Sequence, residues 1–315
     1  MKTITVLGGG TGMSQLLKGF KKFPLKINAI VAVSDDGRST GRLRKEFNIP
    51  AIGDIRQVVI ALAEKENIAR KLLNYRFNTN SDLDGHPVGN LLLTALADID
   101  GSIAGGIADL DDVLNLKGKV IPLTEDNVVL MGEMEDGRIV RGEHCIAEDS
   151  RRIKSVFYEK NPTVSKEAIQ AIKKSDAIVL SIGSLYTSII PNLICPEIKE
   201  AIDQSKAKII YVCNMMTQPG ETDNLSASEH LKILNKYLGN RKIEAVLINN
   251  EGIAKEIITK YKELQQKIPV EVDYDELEKL DVEIIEDDLA VVEEGLLRHN
   301  SIKVALNVFS YLIDK

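Results

Sequence analysis

The sequence predicts a doubly wound α/β fold: a mostly parallel, Rossmann-like sheet covered by helices, with an inserted antiparallel subsheet. Short apolar runs rich in β-branched residues alternate with amphipathic helical patterns, and such runs are typical of parallel strands buried on both faces. The first run, residues 4–7, leads directly into a glycine cluster at residues 8–12 and then into a helical pattern. This order of strand, glycine turn and helix opens many doubly wound folds.

Five runs are predicted to be strands because they are short and apolar at successive positions: residues 3–7, 28–33, 176–182, 208–213 and 243–248. Seven segments are predicted to be helices: residues 54–65, 87–98, 103–115, 165–174, 226–238, 251–265 and 300–313. In the first of these helices, Ile55, Val58 and Leu62 fall on one face. The helix from residue 226 opens with a capping box, formed by Ser226 and Glu229.

Residues 119–158 depart from this alternation of strands and helices. Polar and apolar residues alternate there, which is typical of strands with one exposed face. The sequence Glu-Asp-Gly-Arg at 135–138 lies between two such runs and indicates a tight turn. We therefore expect an antiparallel hairpin or small subsheet inserted at about 119–158. Because no linker or repeat divides the chain, residues 1–315 are expected to form one domain.

The composition excludes several classes of protein. The chain has 315 residues, of which 44% are hydrophobic, so it can bury a sizeable core. Its net charge of −7 argues against general binding to nucleic acids or anionic membranes. No apolar run approaches the ~18 residues of a membrane span, and the start of the chain carries no apolar leader. Cys145, Cys195 and Cys213 are widely spaced, which favours free thiols, and we expect a cytoplasmic protein.

The glycine cluster suggests an anion-binding turn formed by Gly9, Gly10, Thr11 and Gly12. Such a strand-to-helix turn lets backbone N–H groups approach a phosphate, and the helix N-terminus adds favourable partial charge. The spacing matches no standard fingerprint, because Met13 stands where a dinucleotide site needs glycine or alanine. The alternative is a tight turn whose glycines only let the helix and strand pack closely.

The polar segment after strand 28–33 carries two adjacent carboxylates, Asp35 and Asp36, which could hold Mg²⁺ together with a bound phosphate. Ser39, Thr40 and Arg42 follow within a few residues and could bind phosphate oxygens. The alternative is a solvated polar loop with internal ion pairs. We interpret the segment, residues 34–44, as a loop at the ligand-binding edge of the sheet.

Two predicted helices begin with polar residues that would point at the same edge. Asp54 is placed to cap the first of them, with Arg56 in its first turn. Before the second, Pro87 suits the first helical position and pushes His86 out of helical geometry, so His86 and Asn90 can meet at that helix start. A structural role remains the alternative for His86, which has no identified proton-transfer partner.

Two later strands also end in loops rich in small polar residues, where ligands of open α/β sheets bind. A long loop in a compact domain is usually functional or mobile, and the second of these loops is long. The candidate ligand-binding residues in the two loops are Gly183, Ser184, Thr187, Asn214, Thr217 and Gln218.

As an ordered set, these loops closely resemble the bacterial gluconeogenesis factor family (YvcK-like proteins). This family belongs to a superfamily that also holds the 2-phospho-L-lactate transferase (CofD). Each motif alone is weak, and the ordered set spans essentially the whole chain. The motifs are GGGTG (8–12), SDDGRSTGRLR (34–44), GDIR (53–56), GHPVGNLLL (85–93), GSLYTSIIPNL (183–193), NMMTQPGETDN (214–224) and RHN (298–300).

The resemblance implies a Rossmann-like protein that binds a nucleotide sugar, UDP-N-acetylglucosamine in the characterised branch. Members are needed for normal cell shape and for growth on gluconeogenic carbon sources, and no catalytic activity is firmly established for them. The resemblance also suggests a homodimer, and a regulatory role would require a protein partner. By motif, Gly10, Thr11 and Gly12 would meet phosphate, and Arg298 and Tyr274 would contact the nucleotide sugar.

Two departures from the family pattern concern the binding loops. Arg38 stands where glycine is usual in the Asp-Asp-Gly segment, and it could change the substrate or displace a metal. Ile52 stands where proline is common. Neither change removes a proposed ligand-binding residue.

Two other functions remain open from the sequence. In the transferase branch, the glycine loop and the Asp-Asp-Gly segment serve a nucleotide diphosphate and a metal, so a metal-assisted transferase is the main alternative, with Asp35 and Asp36 as metal ligands. An NAD-dependent oxidoreductase is disfavoured by the imperfect glycine fingerprint.

Overall fold

Twelve β-strands lie within residues 1–314, the part of the chain that a computed structural model describes, apart from the side chain of Arg38. The strands are β1 (Lys2–Gly8), β2 (Leu25–Val31), β3 (Lys119–Pro122), β4 (Leu130–Met134), β5 (Ile139–Arg141), β6 (Ile153–Tyr158), β7 (Ala177–Leu180), β8 (Lys208–Val212), β9 (Ala245–Asn249), β10 (Glu283–Asp287), β11 (Ala290–Glu293) and β12 (Leu296–His299).

Fourteen α-helices and one π-helical turn, Leu185–Ile189, connect and cover these strands within the same residues. The helices are α1 (Gly10–Phe20), α2 (Arg38–Phe47), α3 (Gly53–Leu62), α4 (Glu66–Leu73), α5 (Val88–Asp100), α6 (Ile103–Leu114), α7 (Glu143–Glu148), α8 (Lys166–Lys173), α9 (Ile190–Leu193), α10 (Pro196–Gln204), α11 (Ala227–Asn235), α12 (Lys255–Gln265), α13 (Tyr274–Glu278) and α14 (Ser301–Ile313).

Seven strands form one parallel sheet in the order β10-β9-β8-β7-β1-β2-β3. The chain first builds outward from β1 through β2 to β3, and then returns to the other side of β1 with β7. The carboxyl ends of β1 and β7 therefore flank a topological switch point, where open α/β sheets bind their ligands. The predicted Rossmann-like α/β fold is confirmed.

The core follows from the composition of the strands. All four residues of β7 are buried, and the last five residues of β1 are buried as well. These strands carry no alternating polar face because helices cover the sheet, as expected for parallel strands. At the edge, β10 is half-exposed and reads Glu-Ile-Ile-Glu-Asp, and this polar composition explains why the sequence analysis missed it.

The predicted antiparallel insertion is present but begins later than expected. Lys119–Pro122, placed by the prediction inside the insertion, is β3 and pairs in parallel with β2 in the main sheet. The antiparallel subsheet has the order β5-β4-β6 and starts only at Leu130. A four-residue strand at the sheet edge is too short to show a periodicity that separates it from the following strands.

The tight turn predicted at residues 135–138 is confirmed. The Met134 N–H donates to the Arg138 carbonyl at 2.9 Å, and this bond closes the hairpin between β4 and β5. Gly137 has a φ of +84°, a conformation that glycine adopts without steric cost.

Residues 34–44 were predicted to be a loop, and this was wrong from residue 38 onward, because α2 begins there. The helix has little apolar periodicity: Leu43 is buried, whereas most of the helix is polar. It is held by Arg44, whose guanidinium donates to the carbonyls of Ser34 at 3.0 Å and Asp35 at 2.8 Å. Contacts of this kind leave no local signal in the sequence.

Among the described residues, no single helix is long and apolar enough to cross a membrane. Taken together, α5 and α6 would meet the length and composition requirement, but they bend by 117° at their junction.

Gly19 allows α1 to contact α14 closely. A Cβ atom at Gly19 would lie 1.8 Å from the Ser301 carbonyl oxygen. We expect Gly19→Ala to lower the free energy of unfolding by about 1–2 kcal/mol, because the clash outweighs the ~1 kcal/mol gain in helix propensity. Urea unfolding measures this difference. Gly252→Ala, where a Cβ atom meets nothing within 4 Å, is the control and should change stability little; equal stability of the two variants would contradict the prediction.

Candidate functional site

The turn after β1 and the loop after β7 touch at the switch point. A Cβ atom at Gly12 would lie 2.1 Å from the Ile182 carbonyl oxygen, and one at Gly8 would lie 1.9 Å from Ser181 Oγ. Only glycine fits at position 12, where the neighbour is a backbone carbonyl, whereas a side chain at position 8 would force the Ser181 hydroxyl to move. The close-packing interpretation of the glycine cluster is therefore supported, and the same packing leaves Thr11 and Gly12 on the wall of a cavity.

The loop after β8 joins the same edge through Asn214. The Gly183 N–H donates to Asn214 Oδ1 at 3.1 Å, and Asn214 Nδ2 donates to the Gly183 carbonyl at 2.8 Å. Gly183 has a φ of +132°, which a residue with a side chain rarely adopts. Three of the loops singled out in the sequence thus meet beside one cavity.

This cavity, which we call the switch-point cavity, has a volume of about 420 Å³. One part of its wall is apolar and aromatic, and the hairpin of β11 and β12 closes another part. The apolar lining consists of Ile182, Met215, Met216, Tyr261, Leu296 and Leu297. The polar lining includes Thr11, Gln15, Thr217, Gln218, Lys267 and Arg298.

The cavity carries two cations without ion-pair partners. Within the described residues, no carboxylate lies within ion-pair distance of Arg298 or Lys267, although both are half-buried. Burial lowers the pKa of Lys267, Glu221 raises it, and the charge of Arg298 lowers it further. An anion placed between Arg298 and Lys267 would relieve this repulsion, so the cavity favours a negatively charged ligand.

The opposite side of the glycine turn is acidic. Asp54, in the first turn of α3, accepts a hydrogen bond from the Gly10 N–H. A Cβ atom at Gly9 would lie 2.5 Å from Asp54 Oδ2, so a side chain there would displace the Asp54 carboxylate. Exclusion of water around the carboxyl, and then the charge of Asp35, raise the pKa of Asp54 to about 7. A phosphate can approach Thr11 and Gly12 from the cavity, whereas the Gly10 amide is engaged by Asp54.

The adjacent carboxylates Asp35 and Asp36 point to different partners. Asp35 Oδ1 accepts from the Gly37 N–H at 2.9 Å, whereas Asp36 Oδ1 accepts from the His144 N–H at 2.9 Å, at the start of α7. Among the described residues, no group of three His, Cys, Asp or Glu side chains is arranged to hold a metal ion. The two carboxylates thus accept from different partners, Asp35 also lies near Asp54, and a metal ion held by Asp35 and Asp36 stays a prediction.

Glu143 is a third carboxylate of this acidic side, and the sequence analysis missed it. Burial, followed by the charge of Asp35, raises its pKa to about 8, while a hydrogen bond with Thr187 lowers it. Glu143 comes from the antiparallel insertion, far from Asp35 and Asp54 in sequence. No local pattern marks such a residue.

Four predicted site residues form one buried hydrogen-bonded chain where α2, α3 and α5 begin. Ser39 Oγ lies 2.8 Å from His86 Nδ1, and Asn90 Nδ2 donates to Ser39 Oγ at 3.2 Å. Arg56 Nε donates to Asn90 Oδ1 at 2.8 Å. Burial and then the charge of Arg42 lower the pKa of His86, so His86 is neutral at pH 7. The chain fixes the three helix starts behind Asp54.

The other two predicted residues of α2 differ in exposure. Thr40 is buried, and its Oγ1 would lie 2.7 Å from a Cβ atom at Gly53. Arg42 is exposed and lies 3.8 Å from a carboxylate oxygen of Asp82. The side chain of Arg38 lies outside the described residues, and its effect on ligand choice stays a prediction.

Glu221 ties the long loop after β8 to the π-helical turn after β7. The Ser184 hydroxyl donates to its carboxylate at 2.7 Å, and Gln218 Nε2 donates to it at 3.0 Å. Ser184 also accepts from the Thr187 N–H at 2.8 Å. Burial raises the pKa of Glu221 to about 7. Ser184, Thr187 and Gln218 therefore shape the loops around the switch-point cavity, and Thr217 and Gln218 also line it.

Tyr274 is not placed with the other predicted residues. It lies on α13, is 44% exposed and donates to Glu286. The tyrosine on the cavity wall is Tyr261, whose hydroxyl accepts from the Leu297 N–H at 2.9 Å. The sequence analysis missed Tyr261 because, within the predicted helix 251–265, a tyrosine is ordinary packing material. A ligand contact of Tyr274 stays a prediction without support from its position.

We expect Asp54→Asn to stabilise the protein at neutral and alkaline pH. Folding raises the pKa of Asp54 from 3.8 to about 7, so the folded state retains a proton that the unfolded state loses. Retention of this proton lowers the free energy of unfolding progressively from about pH 4 to about pH 7, and the loss is constant above pH 7. The variant should gain up to about 4 kcal/mol at pH 8 and almost nothing at pH 4.

Urea unfolding of the wild type and Asp54→Asn at several pH values measures this effect. Asp112→Asn changes an exposed carboxylate on α6 and is the matched control. A gain that is the same at pH 4 and pH 8 would show that the effect is not due to ionisation.

Comparison with known proteins agrees with this fold. Residues 4–290 match the family described as 2-phospho-L-lactate transferase CofD. The gluconeogenesis factor of Bacillus subtilis is 45% identical over 312 residues, which are 99% of this chain and 97% of that protein. The gluconeogenesis factor of Halalkalibacterium halodurans is 45% identical over 305 residues, 96% of this chain and 94% of that protein.

A crystal structure of a Bacillus halodurans protein superposes on the chain with a TM-score of 0.94 at 45% identity, and it covers 98% of this chain and 99% of its own. Likeness at this level over nearly the full length settles the family. The chain belongs to the gluconeogenesis factor (YvcK-like) family of CofD-related proteins.

Proposed function

We propose that the protein binds a nucleotide diphosphate sugar of the UDP-N-acetylglucosamine type in the switch-point cavity. Through this ligand, it would act as a cytoplasmic regulator of cell-wall precursor metabolism and cell shape on gluconeogenic carbon sources. The observation that carries the binding proposal is the pair of unpaired cations, Arg298 and Lys267, on a cavity bounded by the glycine turn. Two negative charges of a diphosphate would match them.

The wall of the cavity also supports a nucleotide. Met215, Met216 and Tyr261 offer an apolar and aromatic surface for a flat base. Backbone N–H groups at Thr11 and Gly12, at the start of α1, suit phosphate oxygens. Small-molecule sites commonly combine a largely apolar wall with a few polar groups that fix the orientation of the ligand.

A regulatory role is supported by the relatives, which are named for a physiological role rather than for a reaction. A regulator needs a protein partner whose activity changes with ligand occupancy. We also propose a homodimer on the basis of the family resemblance.

A metal-assisted transferase is the second candidate, and the acidic side of the glycine turn favours it. The charge of Asp35 raises the pKa values of both Asp54 and Glu143, and such clustering of carboxylates costs stability and is common at functional sites. If Mg²⁺ is used, Asp35 and Asp54 would hold it, and the ion would offset charge on a transferred phosphoryl group. The acceptor would be an alcohol.

We expect Arg298→Ala to weaken binding of UDP-N-acetylglucosamine by about 10- to 100-fold, because it removes a charge-assisted contact with the diphosphate. Titration calorimetry measures this loss. Arg138→Ala removes an arginine that is 75% exposed on the hairpin turn, and it should bind like the wild type. Equal affinities of Arg298→Ala and the wild type would contradict the proposed site.

The same titrations with and without Mg²⁺ separate the two candidates. Metal-independent binding without turnover supports the regulator. Release of a nucleotide product in the presence of an alcohol and Mg²⁺, lost in Asp54→Asn, would instead support the transferase.

A further inference from the structure

A second cavity adjoins the switch-point cavity on the other side of Arg298. It has a volume of about 600 Å³ and lies between α1, the helices α3 and α4, and the β11–β12 hairpin. The two cavities share the lining residues Thr11, Gln15, Leu296 and Arg298, so they lie side by side against these four residues. We call this second part the amide groove. Together, the two volumes reach the upper end of the range for ligand sites, about 300–1,000 Å³.

The chemistry of the amide groove differs from that of the switch-point cavity. Its walls carry amide, carboxylate, ammonium and guanidinium groups beside Ile60, Ala61 and Leu296, whereas, of the two cavities, only the switch-point cavity is lined by methionine and tyrosine side chains. Two amides, Gln57 on α3 and Asn67 on α4, have no side-chain hydrogen bond to any described residue. They are therefore free to donate to and accept from a ligand.

Other polar groups of the groove are already oriented by the protein. Lys18 Nζ donates to Gln15 Oε1 at 3.2 Å, and Gln15 Nε2 donates to Glu293 at 3.4 Å. Burial lowers the pKa of Lys18, and the charge of Arg70 lowers it further. A wall of fixed donors and acceptors suits a polyhydroxylated group, each hydroxyl of which donates one hydrogen bond and accepts others.

We infer that the amide groove is the sugar subsite of the nucleotide-sugar ligand, with the diphosphate between Thr11 and Arg298 and the base in the switch-point cavity. This inference rests on the proposed function and adds the orientation of the bound ligand. The opposite orientation would place the base against amides and charges, and the sugar against Met215, Met216 and Tyr261. Each half of the ligand would then lose its matching surface.

The double variant Gln57→Ala/Asn67→Ala tests the orientation. Calorimetry should show UDP-N-acetylglucosamine binding weakened by about tenfold, the loss expected for one or two hydrogen bonds, and UDP binding unchanged. The matched control is Gln170→Ala/Asn80→Ala, which removes two exposed amides that line neither cavity. The control should bind both compounds like the wild type.

The outcomes separate this inference from the proposed function. If the affinities of the double variant for UDP and for the UDP-sugar fall equally, the groove holds the nucleotide and the proposed orientation is wrong. If neither affinity changes, the groove holds no part of the ligand. The inference then also fails, while the proposed function stands. If the wild type binds neither compound, the proposed function itself fails.

Discussion

The site depends on the contact between two backbone turns. Gly12 brings the turn after β1 against the Ile182 carbonyl after β7 at a distance that excludes any side chain, and Gly8 lies beside the Ser181 hydroxyl. Because β1 and β7 are neighbours in the sheet but far apart in the chain, this contact fixes where the loops of both halves meet. The glycines thus allow the two turns to pack closely. The same geometry places Thr11 and Gly12 on the wall of the switch-point cavity.

The glycine turn also separates opposite charges. Asp35, Asp54 and Glu143 lie on one side, and Arg298 and Lys267 line the cavity on the other. Neither group is neutralised by direct ion pairs within the described residues, and the raised pKa values of Asp54 and Glu143 reflect this. A diphosphate would be attracted from the cationic side and repelled from the acidic side. The turn therefore determines where an anion would bind. It also determines on which side a metal ion or a proton would have to neutralise the carboxylates.

Much of the fold and part of the site could be predicted from the sequence. The buried strands β1, β7, β8 and β9 each carry a short apolar run, which is a local signal, and the capping box at Ser226 and Glu229 is present as predicted. The start of α2 could not be predicted, because the helix is held by hydrogen bonds from Arg44 to backbone carbonyls and not by a periodic apolar face. Motifs located the loops, but they did not show that Asp36 would accept from the His144 N–H at the start of α7.

The residues that the sequence analysis missed share a physical feature: each acquires its environment from a distant segment. Tyr261 reaches the cavity only because the β11–β12 hairpin packs against α12, where the Leu297 N–H donates to its hydroxyl. In the sequence, Glu143 is an ordinary glutamate. Its pKa is raised in the fold by burial and by Asp35, which comes from a separate part of the chain. Local patterns report what a segment does by itself, such as forming a strand or capping a helix. A binding surface is instead a property of several segments at once, so the ordered set of motifs located it better than any single motif could.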